Sequence, residues 1–356
     1  MHIAGIPMNS HTDLSEEPSV PPSGFFALMD EGMHGIIRAA ALAAASDLSL
    51  FDHLQKPHEI AHIASLTGVS EEMLKPLLLI LIDMGLIESE GRSYRTTTLS
   101  DVYLCSSSPF SQRSYVRKNA RFMKDIWCRM GSIVSSGPVL YTREEFFGRI
   151  ALPAMAENAR CGRLQKTIKE ILSIPGFSGF GKMVDLGGGH GLYAIALAQE
   201  NPLMETYVFD LPHIIPLAEE YIKKFGITRV HTIAGDFFRD DFGSGYDIIL
   251  SSSSPSGKST EILPRIAGAL KSGGYFVNVQ SVGREEKDIY QALEWQMWTI
   301  EGMKKGTGGY VKERPFMTPE YRHEMTSAGL RICREQEIED DYHEGSKVRL
   351  VIAEKI

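Results

Sequence analysis

Apolar positions follow two different periods along this chain, and the change falls near its middle. From Phe25 to Leu172 helical spacing dominates. After Pro175 the apolar residues gather into short runs separated by amphipathic stretches, as strands and helices alternate in an α/β sheet. The Ala-rich stretch Ile36–Ala45 is a strong helix former, and its apolar surface is too broad for a lone solvated helix, so it requires a partner helix. Glu59–Leu66 reads as a short helix and Thr67-Gly68-Val69 as a turn. Ser70 reads as the N-cap of a second helix, with Glu71 and Glu72 in its acidic first turn. This helix runs to about Met84, and its apolar content predicts burial. Gly85 is its natural C-cap, and Leu86–Ser89 and Arg92–Thr96 read as strands around a tight turn at Glu90-Gly91. Helix, turn, helix and hairpin make a winged helix. Residues 110–175 are expected to be mostly helical, with a break at Ser135–Pro138 and one long helix from Ala154 to Leu172.

This pattern sets the expected segments: a flexible polar leader over 1–22, a winged-helix domain over 23–109, a helical bridge over 110–175, and an α/β domain over 176–356. A chain of 356 residues with 43% hydrophobic and 23% charged residues suits two globular domains. The net charge of −8 argues against nucleic acid as a partner. So does the second helix of the winged helix, where Lys75 is the only base between residues 71 and 84; DNA reading needs exposed Arg, Lys, Asn or Gln. Dimerisation is the better use for that domain. Cys105, Cys128, Cys161 and Cys333 form no CxxC pair and read as reduced thiols. No metal is expected, since no His/Cys/Asp/Glu cluster has ligand spacing, and no membrane segment is expected either, so the chain is placed in the cytoplasm.

The chemistry starts at Lys182–Leu186, a short apolar strand that runs into Gly187-Gly188-Gly189-His190-Gly191 and then a helix rich in Ala and Leu. Glycines let the loop tighten and let a ligand approach the backbone, while the helix N-terminus offers free N–H groups. A dinucleotide fingerprint would need G-x-G-x-x-G spacing, which is absent. About twenty residues on, Tyr207-Val208-Phe209-Asp210 ends a second strand with a carboxylate placed to accept hydrogen bonds from ribose hydroxyls. Gly235-Asp236-Phe237-Phe238 then sets an acid beside aromatic rings, where adenine can be bonded and covered. Each acid taken singly is also an ordinary cap at a strand end.

Asp185-Leu186-Gly187-Gly188-Gly189-His190-Gly191 resembles the D/E-x-G-x-G-x-G signature of class I methyltransferases. Together with Phe209-Asp210-Leu211-Pro212, Gly235-Asp236-Phe237-Phe238 and the strand-starting Leu270-Lys271-Ser272-Gly273-Gly274 segment, it resembles the small-molecule O-methyltransferases of the caffeate, hydroxyindole and antibiotic-tailoring type, over roughly residues 25–355. The resemblance implies an N-terminal winged-helix dimerisation domain and a Rossmann-like sheet of six parallel strands and one antiparallel strand, the last near Arg349–Ala353. It also implies a homodimer that binds S-adenosyl-L-methionine, releases S-adenosyl-L-homocysteine and acts on a small, apolar or aromatic acceptor. By the same resemblance, the cofactor contacts Asp185, Gly187, Gly189, Gly191, Asp210, Leu211, Asp236, Phe237, Ser251 and Ser252.

One departure stands out. These relatives place a proton-accepting histidine after the fourth strand, whereas Tyr246–Leu250 here runs into Ser251-Ser252-Ser253-Ser254-Pro255-Ser256-Gly257-Lys258. No catalytic residue is assigned. Lys258, Glu294, Glu301 and the eleven histidines are conceivable bases, and Trp295, Met297, Trp298, Met303 and Phe316 are candidates for either an acceptor pocket or core. Methyl transfer can rest on positioning alone, because the sulfonium already provides a good leaving group. The competing readings are a non-catalytic sensor that binds cofactor and, more remotely, a nicotinamide oxidoreductase.

Overall fold

The structure, a computed structural model, describes residues 15, 17–281, 289–303, 305, 316–339 and 347–356. It divides into two compact units, residues 1–97 and 98–356. Most of the expected leader over 1–22 lies outside the described residues.

In the first unit, α1 (Ser23–Asp47) and α2 (Leu50–His53) are separated at Ser49, a left-handed residue at φ 51°. Next come β1 (His58–Glu59), α3 (Ile60–Thr67), α4 (Glu71–Asp83), β2 (Ile87–Glu90) and β3 (Ser93–Thr96), with the sheet ordered β1-β3-β2. The Ser70 side chain accepts the Met73 N–H and caps α4 as its sequence predicts. Ala45, Leu50, Phe51, Leu54, Ile63, Leu74, Leu78, Leu81 and Ile87 form the core. Burial of α4 is narrower than expected, because Met73 and Leu79 stay exposed. So does one long apolar face of α1, including Phe25, Phe26, Met29, Met33 and Ile36.

The second unit opens with α5 (Thr98–Tyr103), α6 (Arg113–Asp125) and α7 (Met130–Ser136). The break expected at Ser135–Pro138 is present, but β4 (Val139–Tyr141) follows it and pairs in parallel with β10 (Trp298–Ile300), a ladder that helical periodicity does not foretell. Glu144–Ala151 is a π-helix and leads into α8 (Leu152–Ala159). The single helix expected over Ala154–Leu172 is two, since Gly162 at φ 127° ends the run before α9 (Arg163–Leu172).

The α/β part contains β5 (Lys182–Leu186), α10 (Leu192–Glu200), β6 (Glu205–Asp210), α11 (Ile215–Phe225), β7 (Val230–Ala234), β8 (Tyr246–Ser252), α12 (Leu263–Ala269) and β9 (Leu270–Ser281). After α13 (Ile289–Met297) and β10 come α14 (Pro319–Ser327), β11 (Leu330–Glu339) and β12 (Lys347–Lys355). The sheet order is β11-β12-β9-β8-β5-β6-β7. β12 is antiparallel to both its neighbours and the remaining pairs are parallel, so six strands share one direction and the seventh opposes them. One apolar core lies on each face of this sheet, around Ile195, Leu197 and Val208 on one side and Phe209, Tyr246 and Phe276 on the other. β5 sits centrally, where the strand order reverses; in open α/β sheets the crevice at such a switch point takes the ligand.

Candidate functional site

The glycine loop leaves the carboxyl end of β5 and is held from beneath. Gly187 donates its N–H to Phe209 O at 2.8 Å, and Gly189 donates to Asp210 Oδ2 at 2.8 Å, while Asp210 Oδ1 accepts the Leu211 N–H at 2.7 Å. Asp210 therefore braces the loop as well as ending β6. Gly187 and Gly189 lie at φ 73° and 55°, and a side chain at either would strike Ser254 or Leu152. Only glycine meets both demands.

Asp185 lies under this loop, almost completely buried, and its Oδ2 has no hydrogen-bond partner among the described residues. Burial, and secondarily the Asp210 carboxylate, pushes its pKa up to about 8. Asp210 is also raised, by burial against the opposing help of its two backbone bonds. His190 is buried too. Its Nδ1 accepts the Leu192 N–H at 3.2 Å, and burial followed by the nearby Arg163 charge lowers its pKa to about 4, so the ring is neutral at neutral pH. The site thus holds a carboxyl that resists ionising and an imidazole that resists protonating.

Of the residues predicted from sequence, the structure brings Asp185, Gly187, Gly189, Gly191, Asp210, Leu211 and Phe237 together around one loop. The Phe237 ring lies 3.5 Å from where a Gly187 Cβ would stand. Asp236 follows the ordinary pattern of a turn cap: its Oδ1 accepts the Phe238 N–H at 2.9 Å, and its other oxygen lies 3.8 Å from Arg239 Nε. Ser251 is fully buried and its hydroxyl is committed 2.7 Å from Ser256 Oγ. Ser256 lies in turn 2.9 Å from Ser254 Oγ and 3.1 Å from Leu186 O, at the end of β5. The serine that reaches the glycine loop is thus Ser254. Ser252, partly buried, interacts with the Tyr193 side chain.

Behind the serine run lies a buried polar network. Asn278 Nδ2 donates to Gly257 O at 2.7 Å and to Tyr321 Oη at 3.0 Å; Tyr321 Oη also donates to Gly257 O, and Gln280 Nε2 to Asn278 Oδ1. Sequence reasoning missed this network, together with Leu152, whose Cδ1 lies 2.9 Å from the Gly189 Cβ position, and Arg163, whose guanidinium donates to Ser253 Oγ at 3.3 Å. The four-serine run was a signal for Ser254; nothing in the chain marks Leu152. Trp295, Met297, Trp298 and Met303 belong to an aromatic core with Phe122, Tyr141 and Phe146, while Phe316 packs separately, 5.5 Å from Tyr321.

A central strand that runs through an acid into a glycine loop, with a second acid bracing that loop, in a sheet with one reversed strand, is the arrangement of a Rossmann-like methyltransferase fold. Residues 155–331 match the O-methyltransferase domain, and residues 31–106 match the O-methyltransferase dimerisation domain. An uncharacterised protein of Methanocaldococcus jannaschii is 31% identical over 328 residues, covering 90% of this chain and 88% of its own. An N,N-dimethyltransferase of Streptomyces rimosus is 26% identical, with 85% and 90% covered. Among solved structures, an O-methyltransferase family protein from Burkholderia thailandensis superposes with a TM-score of 0.67 at 23% identity, over 95% of this chain and 99% of its own. The chain belongs to the O-methyltransferase family.

Proposed function

We propose that this chain binds S-adenosylmethionine over residues 187–191 and catalyses methyl transfer to a small, apolar or aromatic acceptor, working as a homodimer. The observation that carries the reading is the convergence of Asp185, the glycine loop, Asp210 and Phe237 at the carboxyl ends of neighbouring parallel strands. The residues fit the cofactor. Asp185 Oδ2 is a buried acceptor with no partner among the described residues, which the cofactor's ammonium would satisfy, and the side-chain-free backbone at 187–189 gives close approach. Bound cofactor supplies an electrophilic methyl on a sulfonium. Asp210 would accept from the ribose hydroxyls with the lone pairs its two backbone bonds leave free, Phe237 would cover the adenine with Asp236 at its edge, and Leu211 and Ser252 would complete the wall, which Ser251 would back from behind through Ser256.

Residues 251–258 contain no histidine, and a rigid network of Ser251, Ser256, Asn278, Gln280 and Tyr321 backs that segment. Catalysis here rests on proximity, without a dedicated base. Acceptors that are already ionised or carry a free lone pair suit it better than neutral alcohols, and O, S, N and C all remain open as the receiving atom. The S. rimosus relative, an N,N-dimethyltransferase by name, supports leaving the atom open. The dimerisation match and the apolar face of α1 support the homodimer. In the same proposal, residues 23–109 serve dimerisation, 110–175 carry the acceptor wall, and 176–356 hold the cofactor.

Calorimetric titration with S-adenosylhomocysteine, with NAD as control, tests the site. Micromolar binding of the former alone, strongly weakened in Asp210→Ala, is expected; unchanged affinity in that variant would refute the assignment. Labelled methyl offered with thiols, phenols, enols and amines should yield product. Cofactor binding with no product from any acceptor would favour a sensor, a reading that no observation now prefers.

A further inference from the structure

A cavity of about 460 Å³ opens between α6 and the π-helix, lined by Ser114, Arg117, Lys118, Arg121, Thr142, Glu144, Glu145, Arg149, Ile150 and Pro153. Its size is that of a small-molecule site. The charged residues number four cations and two acids, so the lining carries +2 in a chain whose net charge is −8. Of the two acids, Glu145 is paired with Arg121 at 3.0 Å, while Glu144 Oε1 lies 3.8 Å from His213 Nδ1 and keeps its charge at the cavity. Arg121 is further paired with Asp125. Arg117 and Arg149 make no ion pair within 4 Å among the described residues, and the Lys118 ammonium lies over the Tyr115 and Phe122 rings, at 5.1 and 5.0 Å. Among the described residues no carboxylate lies within 4 Å of these three cations, and Arg117 acts at longer range on the half-buried Glu157.

A buried hydroxyl outside the lining lies near two of its charged residues, Arg121 and Glu145. Tyr141 precedes the lining residue Thr142, is buried, and feels Asp125, Arg121 and Glu145 most strongly among charged groups. Its hydroxyl has no hydrogen-bond partner among the described residues, and burial holds it protonated. The chain segments that line the cavity also reach toward the glycine loop. Between its lining residues Ile150 and Pro153 stands Leu152, the residue that packs on Gly189, and His213 beside Glu144 is three residues beyond Asp210.

We infer that this cavity takes the acceptor by an anionic group, a carboxylate or a phosphate, held by Arg117 and Arg149 with Lys118 in support. Planar guanidinium forks match both anions, and an exposed anion elsewhere on so acidic a surface would meet repulsion. The inference rests on the methyltransferase reading and adds to it that the acceptor is an acid.

The experiment uses the full-length protein saturated with S-adenosylhomocysteine and titrates it with benzoate, phenyl phosphate and, as the neutral counterpart, benzyl alcohol. At least one acid should bind and the alcohol should not; the tighter of the two acids identifies the anion. Arg117→Ala and Arg149→Ala should each weaken that acid by about tenfold or more, because each removes a charge-assisted bond. Arg149→Lys should recover part of the loss. Equal binding of acid and alcohol, no binding of either acid, or full affinity in the Arg117→Ala/Arg149→Ala double variant would overturn the inference. S-adenosylhomocysteine affinity, measured first on every variant, separates the two failures: its loss in the wild type would sink the cofactor site, whereas its retention with no acid binding would sink only this cavity.

Discussion

Asp185 allows the site to be tested through protons alone. Its carboxyl is raised from about 4 to about 8 by burial and by Asp210. A carboxyl whose folded pKa lies above its unfolded value costs nothing where both states are protonated, and costs progressively more as pH rises between the two values. At about 1.4 kcal/mol per unit, over roughly three units, the folded cofactor-free protein loses of order 4 kcal/mol by pH 7 through this one group. Asp185→Asn removes the titration. Whatever constant offset the amide introduces, the stability difference between variant and wild type should shift in the variant's favour by about 4 kcal/mol between about pH 4 and about pH 7. Denaturant unfolding of the cofactor-free proteins across that range reads it directly. Binding supplies the second readout: an ammonium set against Asp185 favours the carboxylate, so S-adenosylhomocysteine should expel close to one proton at pH 7 and fewer above pH 8, measured calorimetrically in buffers of different ionisation enthalpy. Asp185→Asn should expel none. A flat stability difference, together with proton-neutral binding by the wild type, would refute both the buried carboxyl and its pairing with the cofactor.

Three further outcomes follow from the geometry. His190 is held neutral down to about pH 4, so as pH falls from about 6.5 the folded state should lose of order 3 kcal/mol; His190→Asn, which can still accept the Leu192 N–H, should flatten that acid limb in the same unfolding series. Gly189→Ala sets a side chain at φ 55° against Leu152 Cδ1 and should cost about 1–2 kcal/mol and weaken S-adenosylhomocysteine binding; adding Leu152→Ala should relieve the clash but not the backbone strain, so a double variant matching wild-type stability would argue against that strain. A charge on the bare face of α1, as in Met33→Glu or Ile36→Glu, should convert a dimer to a monomer by light scattering, with little change in the first unit's own core.

The α/β half was readable because its signals are local. An acid at the end of an apolar run, followed by glycines, places Asp185 and the loop wherever the strand ends, and the reversed last strand came with the resemblance that those residues carry. Ser70, Gly85 and the hairpin after it were equally legible, since capping and turn chemistry act within a few residues. What escaped prediction depends on distant partners. β4 exists through pairing with β10, more than 150 residues later in the chain, and its short run Val139–Tyr141 has no period of its own. Leu152 is one apolar residue among many until the fold sets it on Gly189. Ser251 follows from analogy of position alone; that Ser254 stands against Gly187 while the Ser251 hydroxyl is held by Ser256 depends on how the chain turns after β8, which no local pattern encodes. The anionic bias of the whole chain concealed the basic cavity, because composition averages over a surface and a cavity samples a few residues of it.

The π-helix at Glu144–Ala151 bears on how such a protein could change its substrate over evolutionary time. A π-turn holds one residue more than an α-turn, so losing a single residue from it restores ordinary winding. The neighbouring side chains would then be re-aimed by roughly 100° about the helix axis. Arg149 and Ile150 would leave the cavity wall together, while the sheet and glycine loop, encoded elsewhere, would keep their places. A one-codon deletion would therefore reshape this cavity, the inferred acceptor site, while leaving the glycine loop in place.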